Sequence, residues 1–256
     1  MSNDQFEIKD SFVKIPNLGW VKLSEQLRFD GKILGAAISR TAGKWYMAIQ
    51  VEMPNISAST SKNQAVGVDL GVKVLAALSD GTEIAGSKAS RTHEKQLRRL
   101  NQSLSRKVGA KKGEKKSANF IKARKRIARL YARIANIRSD ETHKLTTMLV
   151  QNYGIIGIEH LNVKGMMSNH KLARSVADMS FFEFRRQLEY KAESAAVKVV
   201  LAYKWFPSSK TCNVCGEKAD GLPLNVREWT CMHCGSHHNR DVNAAINLRN
   251  YALANT

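Results

Sequence analysis

The 256-residue chain carries a formal net charge of +19, which favours nucleic acid as a partner, although ribosomal and membrane-surface proteins can share such a charge. An apolar fraction of 43% with only four prolines excludes a disordered tail protein and favours one main domain with small appendages. No apolar run reaches the roughly 18 residues of a transmembrane helix, and the polar start at residues 1–5 lacks the regions of a signal peptide, so we expect a cytoplasmic, nucleoid-associated protein without a membrane partner.

The first segment, residues 1–60, is predicted to be a small β-rich domain. Apolar and polar residues alternate over 45–52 with the period of a half-buried strand, and residues 41–43 supply a hairpin turn before it. The polar stretch 55–63 reads as a linker and a domain boundary.

Two later apolar strands each carry one carboxylate. Residues 65–72 contain Asp69, and residues 153–161 contain Glu159, at which the apolar strand ends. A charged group within an apolar strand is costly unless it is paired or bound to metal. Each acid could instead cap a turn at a strand end, but two such strands in one chain weaken that alternative. His160 is expected to point to the opposite face of its strand from Glu159.

Residues 91–144 are strongly basic, with 18 lysines and arginines against four acids. Leucines and isoleucines at helical spacing flank the glycines at 109 and 113, which predicts a helical hairpin at 90–150. The alternative is a merely solvated charged face, but the bias in sign favours contact with phosphates. The residues predicted to bind nucleic acid are Arg98, Arg99, Arg106, Lys111, Lys112, Lys122, Arg124, Lys125 and Arg126.

Ser180 and Glu183 have the spacing of a capping box at the start of a helix, whose apolar stripe we interpret as core. An apolar strand over 197–203 follows. Trp205 and Phe206 come next, and either ring could stack on a base or pack against the cysteine-rich segment.

All four cysteines lie in two C-x-x-C pairs, Cys212 with Cys215 and Cys231 with Cys234. This spacing lets four thiolates surround one Zn²⁺ ion tetrahedrally and leaves no open coordination position, so the predicted zinc is structural. His233, His237 and His238 are alternative ligands that four cysteines make unnecessary. We predict a zinc ribbon over 207–239.

Asp241 follows the ribbon and opens a helix predicted over 240–256. Its face continues with small and apolar residues, so we expect it to pack on the sheet with Asp241 directed towards the two acid-bearing strands. Asp241 could also act as an N-cap or interact with the helix dipole. Three acids in a basic protein predict a site for Mg²⁺ or Mn²⁺, in which two ions about 3.5–4 Å apart cleave a phosphodiester.

Five motifs occur in a fixed order along the chain. They are Gly67-Val68-Asp69-Leu70-Gly71, Gly157-Ile158-Glu159-His160-Leu161, Ser208-Ser209-Lys210-Thr211-Cys212-x-x-Cys215-Gly216, Cys231-x-x-Cys234-Gly235 and Asn239-Arg240-Asp241-Val242-Asn243-Ala244-Ala245. Together they resemble the nuclease half of the TnpB proteins of bacterial insertion sequences, which are related to the type V CRISPR effectors. The resemblance covers about residues 10–252.

The resemblance implies an α/β protein with an RNase H-like, RuvC-type mixed sheet over 61–206, flanking helices, the basic helical hairpin as an insertion, and a zinc ribbon before the third acid. It implies that Asp69, Glu159 and Asp241 are the catalytic, magnesium-binding residues. The implied function is transposon-associated, RNA-guided cleavage of a DNA target beside a short flanking motif, with a guide RNA encoded by the element in a prokaryotic cell.

Residues 6–52 resemble only the end of the wedge domain of longer family members. In those members, guide binding and recognition of the flanking motif use the preceding region. The alternative function is a nucleic-acid-binding protein without catalysis, such as a regulator or a remnant of a transposon protein. A plain zinc-ribbon RNA-binding protein is a weaker alternative, because it does not require three acids. The sequence does not give the guide, the flanking motif or the oligomeric state.

Overall fold

The computed structural model describes residues 5–52, 64–107, 116–223 and 225–256. The chain forms two compact units, Met1–Ile56 with Arg99–Ala132, and Ser57–Arg98 with Arg133–Thr256. The domain boundaries inferred from the sequence stay predictions. The linker placed at 55–63 and the hairpin turn at 109–113, with Lys111 and Lys112, fall outside the described residues.

Two small antiparallel sheets make up the strands of the first unit. They comprise β1 (Glu7–Lys9), β2 (Phe12–Ile15), β3 (Gly19–Lys22), β4 (Lys32–Thr41) and β5 (Lys44–Glu52), in the orders β1-β2-β3 and β4-β5. Ala42 and Gly43 both have positive φ, as a two-residue hairpin turn requires. Met47, Ile49 and Val51 are half-buried and alternate with exposed residues, which confirms the predicted period of β5.

Two long helices form the basic segment. After the short α1 (Ala89–Thr92), α2 spans Glu94–Ser105 and α3 spans Ala118–Asn152. The apolar spacing therefore predicted two helices correctly, and the second continues unbroken for 35 residues.

The second unit contains a five-stranded mixed sheet. Its strands are β6 (Ala65–Leu70), β7 (Ala76–Leu78), β8 (Glu83–Ile84), β9 (Ile155–Ile158) and β10 (Lys198–Leu201), in the order β10-β9-β6-β7-β8. The pairs β10–β9 and β9–β6 are parallel, whereas β6–β7 and β7–β8 are antiparallel. This arrangement is the predicted RNase H-like sheet: an antiparallel meander extended by two parallel strands that follow helical crossovers.

The remaining elements follow β9 along the chain. They are α4 (Val163–Ser168), α5 (Ala173–Met179), α6 (Phe181–Ser194), β11 (Glu228–Thr230), β12 (His237–Asn239) and α7 (Arg240–Ala254). One apolar core joins the strands to α3, α5 and α6, and includes Val68, Leu149, Ile156, Phe184 and Leu188. Within the residues the structure describes, no helix is both long and apolar enough to cross a bilayer.

The helix α7 lies directly on the sheet. Ala244, Ala245, Leu248 and Ala252 are completely buried, as the predicted face required. A Cβ atom added to Gly67 of β6 would lie 1.8 Å from the carbonyl oxygen of Ala245. The glycine is therefore required by the close approach of the helix backbone to the strand.

The capping box predicted at the start of α6 is wrong. Ser180 does occupy the N-cap position, but its backbone is left-handed (φ 53°, ψ 37°) and its side chain makes no capping hydrogen bond. Glu183 instead accepts hydrogen bonds from Arg186 and Gln187. These bonds, with the one from Arg186 as the main cause, lower the pKa of Glu183 to about 2.

Candidate metal-ion and nucleic-acid site

Asp69 is the next-to-last residue of β6, the central strand of the five-stranded sheet. Its neighbours Val68 and Leu70 are buried, and Asp69 itself is half-buried. The strand thus holds the carboxylate within the sheet instead of at a free loop end, which argues against a simple turn-capping role.

Glu159 follows the last residue of β9, the strand paired in parallel with β6. The buried hydroxyl of Ser208 donates a hydrogen bond to Glu159 Oε1. Burial raises the pKa of Glu159, and the hydrogen bond from Ser208 opposes that shift. Ser208 therefore holds one carboxylate oxygen in place, a role that its position in a sequence motif did not reveal.

Asp241 lies in the first turn of α7 but is not its N-cap. That position belongs to Asn239, whose Oδ1 accepts hydrogen bonds from the backbone N–H groups of Asp241 (3.0 Å) and Val242 (3.1 Å). The N-cap alternative for Asp241 is therefore wrong, while its place in the first turn is favourable for the helix dipole. Its carboxylate is left free to interact with charged partners.

The three acids influence one another electrostatically. Burial raises the pKa of Asp69 well above its ordinary value, and the negative charges of Glu159 and then Asp241 raise it further. The nearby guanidinium groups of Arg240 and Arg227 act in the opposite direction. Carboxylates from a strand end and a helix start are thus near enough to Asp69 to affect its pKa, and carboxylate oxygens are ligands that hard divalent cations prefer.

Arg227 contacts this region from the segment before β11. Its Nη1 donates to both carboxylate oxygens of Asp241, at 2.9 and 3.2 Å. The side chain of Arg227 is 43% exposed and that of Asp241 is 20% exposed. An arginine that neutralises an acid and also faces solvent can exchange that acid for a phosphate.

The four cysteines predicted to bind zinc lie together. Their sulfur atoms are all within 4.8 Å of one another, and the Cys212–Cys234 and Cys215–Cys231 separations are both 3.7 Å. A tetrahedron with zinc–sulfur bonds of about 2.3 Å has edges of about 3.8 Å, so the donor set fits the ion.

The two cysteine turns have the same backbone design. Gly216 and Gly235 follow the second cysteine of each pair with φ of +78° and +73°, and each donates its N–H to the carbonyl oxygen of the first cysteine at 2.9 Å. Hydrogen bonds with Ser236 lower the pKa of Cys234 to about 6, which favours the thiolate that a metal requires.

The histidines near the cysteines do not join that cluster as ligands. His238 is buried, and its Nε2 lies 3.1 Å from Cys212 Sγ, where it can support a ligand from outside the tetrahedron. His237 lies beside Thr230, with Nδ1 3.3 Å from the hydroxyl oxygen. Among the described residues, the group whose ligand atoms lie together comprises the four cysteines alone.

Two buried asparagines of α7 join this helix to the start of the ribbon. Asn247 Nδ2 donates to the carbonyl oxygens of Ser208 (2.8 Å) and Thr211 (2.7 Å), and Asn243 Nδ2 also donates to Thr211 (2.8 Å). These bonds tie together Ser208, which contacts Glu159, and the helix that carries Asp241. Sequence reasoning missed both asparagines, because the two carbonyl groups that they bind lie more than 30 residues away.

The predicted nucleic-acid-binding residues are exposed wherever the structure describes them. These are Arg98, Arg99, Arg106, Lys122, Arg124, Lys125 and Arg126. They make no ion pair with an acid of the described ranges, so their charges are available to phosphates.

His160 lies beyond the end of β9, and so the alternation of side chains along a strand does not govern its direction. It is exposed and lines the same cavities as Glu159. The expectation that it faces away from Glu159 stays a prediction.

The sheet order, the crossover helices and the cysteine ribbon before the last helix define an RNase H-like protein of the RuvC type. Two family models match the chain: "Probable transposase" (OrfB_IS605) over residues 48–170, and the Cas12f1-like TNB domain over residues 181–248. A solved Cas12f1 protein, in a complex with guide RNA and target DNA, aligns with a TM-score of 0.52 at 16% identity, covering 83% of this chain and 55% of that one. That likeness shows the fold.

Curated relatives agree with the family models. A Streptomyces pristinaespiralis protein named "Putative RNA-guided DNA endonuclease" is 42% identical over 213 residues, which are 83% of this chain and 51% of the relative. The similarly named InsQ of Escherichia coli K12 is 34% identical over 255 residues, or 94% of this chain and 62% of the relative. The chain belongs to the TnpB family. It spans about half to three-fifths of the length of these relatives.

Proposed function

We propose that this chain supplies the nuclease part of a transposon-associated, RNA-guided DNA endonuclease, and that Asp69, Glu159 and Asp241 hold its catalytic Mg²⁺ or Mn²⁺ ions. The observation that carries the proposal is the placement of the three acids: Asp69 lies near the end of β6, Glu159 follows the paired strand β9, and Asp241 lies in the first turn of α7, which packs on both strands. A fold tolerates clustered, desolvated carboxylates chiefly where a cation compensates them. The names of the relatives support the same activity.

Each residue has a distinct part in this proposal. Asp69 and Asp241 hold the ions, and Glu159, oriented by Ser208, completes their coordination. Bound divalent ions supply an activated water and stabilise the charge of the leaving oxygen. Arg227 exchanges Asp241 for a phosphate of the DNA strand, and the basic residues of α2 and α3 bind the sugar-phosphate backbone.

The four-cysteine cluster is proposed to hold one structural Zn²⁺ ion. All four ligands come from the chain, so this ion has no open position for substrate. Its part is to fix the segment that presents Ser208 and Arg227 to the acids.

The proposed partners are a DNA target and a guide RNA encoded by the same element. The guide is the less supported of the two, because the chain covers only 51% and 62% of the relatives named for RNA-guided cleavage. Sequencing of nucleic acid that co-purifies with the chain tests it. Recovery of one defined RNA supports a guide, whereas its absence together with metal-dependent cleavage indicates an unguided nuclease.

The decisive experiment measures cleavage of single-stranded and duplex DNA with Mg²⁺, with Mn²⁺ or with no added divalent ion. We expect cleavage only with a divalent ion, and its loss in Asp69→Asn. The matched control is Asp80→Asn, which replaces an exposed acid that binds Thr82 and Tyr153 at the other end of the sheet. Cleavage that survives in Asp69→Asn would exclude the proposed site. Strong DNA binding without cleavage under any condition would favour the non-catalytic alternative.

A further inference from the structure

Two adjoining cavities lie beside Glu159. The larger, of about 580 Å³, and the smaller, of about 310 Å³, share residues 159–162 and Lys204 in their linings. Both volumes fall in the range of about 300–1,000 Å³ that is typical of ligand sites. The surface next to the proposed metal site is thus concave.

Each cavity contains a largely exposed aromatic side chain. Trp205 is 78% exposed and lines the smaller cavity, whereas Phe182 is 70% exposed and lines the larger one. The ring of Trp205 is therefore largely open to solvent. Its neighbour Phe206 is the packed ring, with centroids 5.6 Å from Tyr203 and 4.9 Å from Tyr251.

Both aromatic side chains stand on well-supported backbone. The three packed rings fix the segment that presents Trp205. Phe182 lies in the first turn of α6 between Phe181 and Phe184, which belong to the apolar core. Rigid support lowers the entropy lost when a ligand contacts an exposed ring.

The charges around these rings favour a polyanion. Lys204 Nζ lies 5.0 Å from the centroid of the Trp205 ring. Lys204 and Lys164, which also lines the larger cavity, have no ion-pair partner among the described residues. Exposed aromatic rings with free cations beside them are the pattern by which proteins bind unpaired nucleotides, because the ring stacks on a base and the cation meets a phosphate. An apolar peptide carries no negative group that could pair with these two lysines.

We propose that Trp205 and Phe182 are base-stacking residues, which hold unpaired bases of a DNA strand whose phosphate lies at Asp69, Glu159 and Asp241. This proposal rests on the proposed function and states how the metal site holds its DNA substrate. Bases within an intact duplex stack on each other and offer no face to these rings. The cavities therefore require the strand to be unpaired beside the metal site.

The test separates base contacts from phosphate contacts. An Asp69→Asn chain, in buffer without Mg²⁺ or Mn²⁺ so that no cleavage occurs, is titrated with oligothymidylate and with the same strand carrying abasic sites, and binding is followed by fluorescence anisotropy. The intact strand should bind about fivefold to a hundredfold more tightly than the abasic strand. Trp205→Leu should remove most of that preference, whereas Trp205→Phe, which keeps a ring, should retain it. Phe182→Leu should reduce the preference independently.

Trp45→Leu is the matched control, because Trp45 is also an exposed tryptophan, at 68%, with the cationic group of Arg40 5.2 Å from its ring centroid. It should leave the preference for the intact strand unchanged. Equal binding of both strands, or an equal loss in Trp45→Leu, would overturn the assignment. Because binding is measured without metal, base-dependent binding in a chain that never cleaves would overturn the proposed function alone. Cleavage with no base preference would overturn this inference alone.

Discussion

Gly67 and Gly157 are direct partners in the parallel register of β6 and β9, and the backbone of α7 covers both. A Cβ atom on Gly157 would lie 2.3 Å from the carbonyl oxygen of Leu248, and one on Gly67 would lie 1.8 Å from that of Ala245. Neither position has room for a side chain, so only glycine permits α7 to pack this closely on the sheet. Asp69 and Glu159 each lie two residues after one of these glycines. The contact that packs α7 against the sheet therefore also brings Asp241 towards these two acids.

Gly67→Ala should destabilise the fold by about 3 kcal/mol and abolish cleavage, because the added methyl group forces α7 away from β6. Urea unfolding and a cleavage assay measure the two effects. The control is Gly81→Asn, at a turn with φ of +91° where an added Cβ meets nothing within 4 Å. That change should lower the free energy of unfolding by less than about 1 kcal/mol. A stable, active Gly67→Ala chain would contradict the packing described for α7.

Asn247→Leu should destabilise the chain by about 2 kcal/mol, because two buried carbonyl groups lose a hydrogen bond donor. Asn243 donates to the same two carbonyls and still satisfies them in the single variant, so the double variant, which leaves both carbonyls unpaired, should lose more stability than the sum of the single changes. Thermal or urea unfolding of both single variants and the double variant tests the coupling. Strict additivity would show that the two asparagines act separately.

Removal of zinc with a strong chelator should expose four reactive thiols, lower the melting temperature and stop cleavage even when Mg²⁺ is restored in excess. The reason is that the ribbon supplies Ser208 and Arg227 to the acids. Metal analysis and a thiol assay follow the ion and the cysteines. Cys231→Ser should reproduce the loss, whereas Met232→Ala, at a 98% exposed position of the same turn, should not.

Asp178→Asn should lower the free energy of unfolding by about 3 kcal/mol. Asp178 is only 3% exposed and accepts hydrogen bonds from Arg138 and from the backbone N–H of Ser90. Loss of its charge leaves the guanidinium of Arg138 without compensation. The comparison is Asp140→Asn, which breaks an exposed pair with Lys144 and should cost less than about 0.5 kcal/mol. Equal effects in the two variants would argue against a structural role for the buried pair.

Asp69→Asn should stabilise the metal-free chain at neutral pH by about 1 kcal/mol. The pKa of Asp69 is raised in the fold above its ordinary value of 3.8, so its destabilising effect is absent in acid and grows as the pH rises towards the raised value. The difference in unfolding free energy between the variant and the parent chain should therefore be absent below the ordinary value of 3.8, grow as the pH rises above it, and level off above the raised pKa of Asp69. A difference independent of pH would contradict the electrostatic explanation.

A divalent ion should reverse the order of stability of the parent chain and Asp69→Asn. Mg²⁺ should raise the melting temperature of the parent chain at neutral pH, with little effect on Asp69→Asn. Asp80→Asn should respond to Mg²⁺ as the parent chain does, because Asp80 lies at the turn between β7 and β8. The same shift in all three chains would indicate non-specific binding.

The sequence predicted the elements whose residues carry a local pattern. The apolar strands with Asp69 and Glu159, the basic helices and the cysteine pairs all have spacings that a short window contains. The contacts that complete the site were not predictable in this way. Arg227 bonds to Asp241, which lies 14 residues away in the sequence, and Ser208 bonds to Glu159, which lies 49 residues away. Tertiary packing makes these contacts, and no local sequence pattern encodes them.

The wrong capping box has a related cause. Ser180 adopts a left-handed backbone between α5 and α6, and this conformation is set by the tertiary path of the chain. The residue types at positions 180 and 183 were compatible with a capping box, and the exact end of an element decided the outcome.

The position of Asp241 in the chain has a consequence for biosynthesis. Asp69 and Glu159 leave the ribosome long before Asp241, and α7 can seat on its two glycines only after the cysteine ribbon has been made. A nascent chain therefore holds two of the three acids but lacks the helix that completes the set. The proposed metal site would therefore be incomplete during most of synthesis and would be completed when α7 docks.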